Sequence, residues 1–153
     1  TGLNLGLVKS ELYVGLDTDP LKLTGLADNY SQPASFLLGD GTALSFRDKG
    51  VDSAMCVFVA HHLDDDQLPE LLAEVARTVD GKFFLVDPLR HPDPVSRFFW
   101  HFDRGRYPRT QPELESALQD FFDIEKVETF RHRHLLRFGL FLCSPKQSDP
   151  VAE

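Results

Sequence analysis

Short apolar runs in this chain alternate with stretches in which apolar residues recur every three or four positions. The short runs, bounded by Gly, Pro, Asn or Asp, indicate β-strands, whereas the wider spacing indicates amphipathic α-helices. The pattern predicts strands at 12–17, 34–38, 51–59 and 82–88, and helices at 3–10, 19–29 and 68–79. This alternation favours an α/β fold with a mainly parallel sheet. The nearly continuous apolar run at 51–59 predicts a central strand covered on both faces.

The last third of the chain ends in two strands. A capping-box pattern at Thr110 and Glu113 begins a predicted helix, and strands are predicted at 124–130 and 135–143. Because a short tip joins these strands, they are expected to form an antiparallel pair at the far edge of the sheet. Residues 146–153 have the composition of a flexible tail.

Residues 89–108 fit neither periodicity and are rich in aromatic residues and arginine. Two interpretations remain open. An insertion after the carboxyl end of a strand suits a lid or wall over a substrate, here at 93–107. Alternatively, the segment is a surface helix that completes the core with its large aromatic residues, Phe98, Phe99, Trp100 and Phe102.

The composition is that of one globular domain. The 153 residues are 42% hydrophobic and 26% charged, with a formal net charge of −8. The acidic balance disfavours binding to nucleic acid or to a membrane surface, and no apolar run reaches the ~18 residues of a membrane span. Cys56 and Cys143 lie in apolar runs, which indicates reduced thiols in a cytoplasmic protein. Because the chain begins at Thr1 without Met, we expect a fragment or a processed product.

Acidic residues stand where two predicted strands end. Asp17 closes the strand at 12–17, and Asp40 follows the strand at 34–38. Ligands of open parallel sheets bind at the carboxyl ends of the strands, where a carboxylate can accept hydrogen bonds from two adjacent sugar hydroxyls. Asp17 is therefore a candidate ribose ligand. The alternative is that Asp17 and Asp19 only cap the next helix.

Several short segments follow one another along the chain: Thr1-Gly2 as the end of a glycine-rich loop, Gly15-Leu16-Asp17, Gly39-Asp40-Gly41-Thr42, the run from Val51-Asp52 to His62-Leu63, the helix with Glu74 and Arg77, and Asp80-Gly81 before Phe83. In this order the sequence resembles the class I S-adenosylmethionine-dependent methyltransferases, specifically the small-molecule methyltransferase-like domains. The resemblance covers residues 1–145. It implies a Rossmann-like, mainly parallel sheet with an antiparallel strand pair at the C-terminal edge.

The resemblance implies S-adenosylmethionine as cofactor, with its nucleoside held by residues after two strands. Asp17 would hold the ribose hydroxyls, and Thr18 would lie beside the adenine. Asp40 would accept a hydrogen bond from the adenine amino group, while Gly41 and Thr42 would flank the ring.

The resemblance also places the methionine end of the cofactor. Gly2 would allow the backbone to approach the methionine, and Val57 and Phe58 would lie near the methionine or the transferring methyl group. In the family, a first strand and the opening glycines of its loop would precede Thr1. The resemblance therefore implies that the domain at 1–145 lacks this N-terminal strand.

Methyl transfer from a sulfonium is an in-line displacement, so the protein orients the acceptor and, where needed, removes its proton. His61 and His62 follow the strand at 51–59 and are candidates for this base, since imidazole titrates near neutrality. The alternative is that one histidine packs locally and the other is exposed. No histidine or cysteine arrangement supports a metal site.

Signatures of several other classes are absent. The sequence has no Gly-x-Ser-x-Gly elbow and no phosphate-binding Gly-Lys-Ser/Thr loop. The favoured function is methyl transfer to a small-molecule acceptor. Two alternatives remain: a noncatalytic binding domain that kept the fold, and a nucleotide-dependent oxidoreductase, which Gly39-Asp40-Gly41 disfavours because this element suits adenine binding.

Overall fold

A computed structural model of the chain describes residues 10–24, 33–102, 105–132 and 136–147. The chain divides into two compact units, Thr1–Leu44 and Ser45–Glu153. The predicted helix at 3–10 and the predicted tail at 146–153 lie almost wholly outside the described residues.

The first unit contains a two-stranded parallel sheet. Its elements are β1 (Tyr13–Asp17), α1 (Pro20–Leu23) and β2 (Ala34–Leu38). Helix α1 ends at Leu23, because Thr24 is extended and its hydroxyl donates to the carbonyls of Pro20 and Leu21. These bonds satisfy carbonyls of the last turn and let the chain leave the helix. Residues 25–29 of the predicted helix lie outside the described residues.

The second unit is a four-stranded mixed sheet with helices. Its elements are β3 (Val51–Val57), a 3-10 helix (Ala60–His62), α2 (Gln67–Thr78), β4 (Val79–Pro88), α3 (Pro94–Phe102), α4 (Gln111–Gln119), β5 (Phe122–His132) and β6 (Leu136–Pro145). The strand order is β3-β4-β6-β5, with β3 and β4 parallel and β6 antiparallel to both of its neighbours. The predicted α/β class and the antiparallel pair at the C-terminal edge are confirmed.

The core of this unit lies on one face of the sheet. The apolar stripe of α2 predicted from helical spacing is buried, and it is joined by α4 and by inward residues of the central strands: Leu68, Leu71, Leu72, Val75, Phe83, Leu85, Leu114, Leu118, Phe122 and Phe141. Full burial of such side chains contributes about 1.5–3 kcal/mol each. The predicted capping box is present, since Glu113 Oε2 accepts from the Thr110 N–H at 2.6 Å and from its hydroxyl at 2.9 Å.

The strand boundaries differ from the prediction around Gly81. Residues 80 and 81 separate the predicted helix at 68–79 from the predicted strand at 82–88, but both belong to β4, which begins directly after α2. A Cβ at Gly81 would lie 2.5 Å from the Asp52 carbonyl oxygen. Glycine is therefore required by the close approach of β3, where the register of the two strands shifts.

Two further differences concern β3 and the aromatic insertion. Strand β3 was predicted to be central and covered on both faces, but within the described ranges it pairs with β4 alone and only Cys56 is fully buried. The insertion forms helix α3, as in the second interpretation, but Phe98 is 69% exposed and does not complete the core. No helix in the described part of the chain is long and apolar enough to cross a membrane.

Candidate functional site

Asp17 and Asp19 have different structural environments. Asp17 ends β1, and its Oδ1 accepts a hydrogen bond from the Asp19 N–H at 2.9 Å and lies 3.6 Å from Lys22 Nζ. Asp19 is the N-cap of α1, and its Oδ1 accepts from the Leu21 N–H at 2.9 Å. Helix capping is thus performed by Asp19, while the Asp17 carboxylate stands at the end of the strand. The capping interpretation therefore applies to Asp19, and the ribose contact of Asp17 stays a prediction.

Asp40 lies in a tight turn just beyond β2. Its Oδ1 accepts hydrogen bonds from both the N–H and the hydroxyl of Thr42 at 2.9 Å, and its carbonyl accepts from the Ala43 N–H at 3.2 Å. The residue is exposed, whereas Gly41 and Thr42 are partly buried. Because both side-chain bonds use Oδ1, they hold the carboxylate in one orientation and leave Oδ2 unused by the described residues.

The two acidic turns are neighbours at the carboxyl edge of the parallel pair. Asp17 is in register with Leu38, and the Gly39 N–H donates to the Asp17 carbonyl at 3.1 Å. Thr18 is exposed beside them, and Gly2 lies outside the described residues. The structure therefore brings together the predicted nucleoside residues from Asp17 to Thr42, with two carboxylates on adjacent strand ends.

Phe58 follows β3 with an unusual backbone. The predicted strand extends to Val59, but β3 ends at Val57 because Phe58 has a φ of 59°. This left-handed conformation costs a non-glycine residue about 1–2 kcal/mol and is found preferentially at functional sites. It is held by a hydrogen bond from the Phe58 N–H to the Val86 carbonyl at 2.9 Å, and the ring is 49% exposed.

His61 and His62 differ in burial. His61 is 5% exposed, and its Nδ1 lies 3.0 and 3.1 Å from the two carboxylate oxygens of Asp87, which is 1% exposed. His62 is exposed, and its ring centroid lies 4.1 Å from that of His61. The Trp100 and His61 rings meet edge-to-face, with their centroids 5.9 Å apart. The alternative in which one histidine packs locally and the other faces solvent thus matches the burial, without assigning a role to either.

The electrostatics of Asp87 follow from its burial. Desolvation raises the pKa of the Asp87 carboxyl, while hydrogen bonds from the ring and backbone of His61 lower it. Desolvation is the larger effect. The side chain of Asp87 fixes the orientation of the imidazole of His61, because Nδ1 lies within hydrogen-bond distance of both of its oxygens.

Arg109 holds the segment that carries both histidines. Its Nη1 donates to the carbonyls of Ala60 and Leu63, each at 3.0 Å, and its Nη2 donates to Asp65 Oδ1 at 2.7 Å. The guanidinium lies across the carbonyls of the 3-10 turn, and the residue is 8% exposed. In addition, the Tyr107 N–H donates to the His61 carbonyl at 3.0 Å.

The sequence analysis did not identify Asp87 or Arg109 as site residues. Asp87 carries a sequence signal, since it ends an apolar run in the same way as Asp17 ends its own. Arg109 carries none, because a single arginine before a capping box is unremarkable until the fold brings it to residues 60–65. Among the described residues, no group of three His, Cys, Asp or Glu side chains could hold a metal ion.

A known protein family matches the N-terminal half of the chain. Residues 2–81, more than half of the chain, match the sequence model of a family described as "Methyltransferase domain". No curated protein matches significantly.

Solved structures share the fold at low identity. An S-adenosylmethionine-dependent methyltransferase from Methanosarcina mazei has a TM-score of 0.68 and 19% identity, with 89% of this chain and 83% of that chain covered. The complex of the Haloferax volcanii Trm112 methyltransferase activator with a methyltransferase contains a chain with a TM-score of 0.79 and 17% identity. The alignment covers 96% of this chain and 77% of that chain. The Burkholderia thailandensis 1,6-didemethyltoxoflavin-N1-methyltransferase, solved with that compound and S-adenosylhomocysteine, has a TM-score of 0.65 and 17% identity, covering 88% and 61%.

Proposed function

Because the chain belongs to the methyltransferase domain family, we propose that it is an S-adenosylmethionine-dependent methyltransferase acting on a small-molecule acceptor. The observation that carries the proposal is the pair of carboxylates, Asp17 and Asp40, on adjacent carboxyl ends of β1 and β2. Carboxylate oxygens are strong acceptors for ribose hydroxyls and for an exocyclic amino group. The Burkholderia relative, which was solved with S-adenosylhomocysteine, supports the choice of cofactor.

The proposed nucleoside contacts lie at the carboxyl ends of β1 and β2. In the first unit, Asp17 binds the ribose hydroxyls and Asp40 accepts from the adenine amino group. The remaining residues with proposed cofactor contacts are Thr18, Gly41 and Thr42 beside the adenine, and Gly2, Val57 and Phe58 toward the methionine. The residues fit a nucleoside, because nearby backbone engages Oδ1 of each carboxylate and none of the described residues engages Oδ2.

When bound, the cofactor supplies a methyl group on a positively charged sulfur. The chain has to orient the acceptor and, for a hydroxyl or amine, take up its proton. We assign this proton uptake to the pair of histidines after β3. Exposed His62 is better placed to meet an acceptor than buried His61, whose ring is held by Asp87.

The proposal also specifies that the methyl acceptor is a small molecule. It is supported by the Burkholderia relative, which was solved with 1,6-didemethyltoxoflavin. The formal charge of −8 favours it over an acceptor within nucleic acid, since a strongly acidic protein repels phosphate.

We also place the protein in a reducing, cytoplasmic compartment. Both cysteines are unpaired and buried. Burial raises the pKa of the Cys56 thiol to about 12 and that of Cys143 also to about 12. Such thiols remain protonated and unreactive at neutral pH.

Calorimetric titration of S-adenosylhomocysteine into the purified protein tests the cofactor proposal. Asp17→Asn removes one charged acceptor, and we expect the dissociation constant to rise at least tenfold, since a hydrogen bond to a charged group contributes about 1.5–3 kcal/mol. Asp19→Asn is the matched control. It makes the same charge change two residues away, and Asn caps a helix as well as Asp does.

The two variants separate ribose binding from capping. An unchanged affinity in Asp19→Asn together with a weakened one in Asp17→Asn supports the proposed site. Equal losses in both would mean that the acids act only through local structure. No binding by the unsubstituted protein would overturn the enzyme proposal and favour a noncatalytic domain that kept the fold.

A further inference from the structure

Three phenylalanine rings form a continuous row at the carboxyl edge of β3 and β4. The Phe58 and Phe138 ring centroids are 5.4 Å apart with planes tilted by 45°, and those of Phe138 and Phe130 are 5.5 Å apart with planes at 20°. Phe138 is in register with Pro88 at the end of β4, and Phe130 is in register with Phe138. We call Phe58, Phe130 and Phe138 the aromatic row.

The row is open to solvent at both ends. Phe58 is 49% exposed and Phe130 is 45% exposed, whereas Phe138 between them is partly buried. The Phe130 and Phe138 planes are close to the offset-stacked arrangement that aromatic rings prefer. A further planar ring can therefore extend the same stack at either exposed end.

The backbone of Phe58 indicates that its ring position is under functional constraint. A left-handed conformation is unfavourable for a bulky residue, yet it is fixed here by the hydrogen bond to the Val86 carbonyl. Such strain is retained where a side chain must be aimed in a particular direction. Here it turns the chain at the end of β3, at the residue proposed to lie toward the methionine of the cofactor.

Two opposite charges near one end of the row are paired with each other. Lys126, Glu128 and Phe130 lie on one face of β5, because they alternate along the strand. Lys126 Nζ lies 2.6 Å from Glu128 Oε1, so these two charges offset each other on the face of β5 that carries Phe130. This pairing favours a neutral ring over an ionic one on that face.

From these observations we propose that the aromatic row is the acceptor subsite and that the methyl acceptor is a neutral, planar aromatic molecule stacked on Phe58 or Phe130. This inference rests on the proposed methyltransferase function and names its substrate class. A ring stacked on Phe58 is positioned through its face, and its edge then presents the methylated atom beside Phe58.

The test compares 2-naphthol with decahydro-2-naphthol by calorimetric titration in the presence of S-adenosylhomocysteine. The two compounds have the same carbon skeleton and hydroxyl, but only the first is planar. We expect 2-naphthol to bind about tenfold more tightly, and Phe130→Leu or Phe58→Leu to reduce this preference about three- to tenfold, because leucine keeps apolar contact and loses stacking. Phe98→Leu is the matched control, since Phe98 is 69% exposed on α3 in the same unit.

The outcomes distinguish the two proposals. S-adenosylhomocysteine binding without a preference for 2-naphthol, or with a preference that the row variants leave unchanged, would overturn the acceptor subsite and leave the methyltransferase proposal intact. Absence of S-adenosylhomocysteine binding would instead overturn the methyltransferase proposal, and the acceptor subsite with it. Sedimentation of the same variants tests whether a second copy covers the row. A dimer that Phe130→Leu dissociates, with naphthol binding unchanged, would also overturn the subsite.

Discussion

We predict that the Arg109 side chain makes the main stabilising contacts to the segment that carries His61 and His62. Replacing it with methionine keeps an apolar stem of similar length and removes every donor. The lost contacts are the two hydrogen bonds to the carbonyls of Ala60 and Leu63, a longer one of 3.4 Å to the Tyr107 carbonyl, and the bond to Asp65. Ala60 is fully buried, so water cannot easily replace the guanidinium there.

The size of the effect follows mainly from the two 3.0 Å bonds to the carbonyls of Ala60 and Leu63 and from the bond to Asp65. Each bond from a charged donor to a carbonyl contributes about 1.5–3 kcal/mol. The bond to Asp65 contributes no more than about 1 kcal/mol, because that side chain is 94% exposed. Since neighbouring bonds are not additive, we expect Arg109→Met to lower the free energy of unfolding by about 3–5 kcal/mol.

Urea denaturation followed by circular dichroism measures this difference. Arg109→Lys should lower the free energy of unfolding by about half as much, because a single ammonium group can replace only some of the hydrogen bonds of the planar guanidinium. Arg106→Met, at an exposed position nearby, should stay within about 0.5 kcal/mol of the unsubstituted protein. If Arg109→Met lowered the free energy of unfolding by less than about 1 kcal/mol, the proposed stabilising role would be refuted. Such a result would show that the carbonyls find other hydrogen-bond partners at little cost.

Two further substitutions test Asp87 and Gly81. Burial raises the pKa of Asp87, so the native state binds the proton more tightly than the unfolded state, and the carboxyl's contribution to stability is lost as pH rises from about 4 through its native pKa. The free energy of unfolding of the unsubstituted protein relative to Asp87→Asn should therefore fall over that range in urea titrations at several pH values; a relative rise would show that ion pairing with His61 outweighs desolvation. Gly81→Ala places a Cβ against the Asp52 carbonyl oxygen and should cost about 1–3 kcal/mol in thermal or urea unfolding. Gly39→Ala, whose Cβ would meet only the flexible Leu16 side chain at 3.1 Å, should cost less than half of this, and equal losses would contradict the steric explanation.

The element types were readable from the sequence wherever local periodicity was strong. The stripe of α2 and the capping box of α4 were predicted correctly because both depend on residues within one or two helical turns. The ends of helices and strands were less predictable where they depend on a contact with a residue distant in the sequence. Gly81 reads as a turn residue, but the approach of the β3 backbone places it inside β4.

The local sequence around Asp17 left two interpretations open, and only atomic geometry showed which acid caps the helix. A carboxylate after a strand and an N-cap before a helix have the same sequence pattern when they lie two residues apart. The hydrogen bond from the Leu21 N–H identifies Asp19 as the cap. The parallel register of β1 and β2 then places Asp17 beside the Asp40 turn.

The sequence by itself determined the α/β class, the acids at the strand ends and the family resemblance, because these depend on local hydrophobic period and on short motifs. The tertiary structure alone decided the pairing of His61 with Asp87, 26 residues away, and the reach of Arg109 to Ala60, 49 residues away. It also decided the row of Phe58, Phe130 and Phe138, which β6 completes by inserting between β4 and β5. Such contacts depend on strand order and register, and no local pattern encodes which distant residue a strand will place alongside.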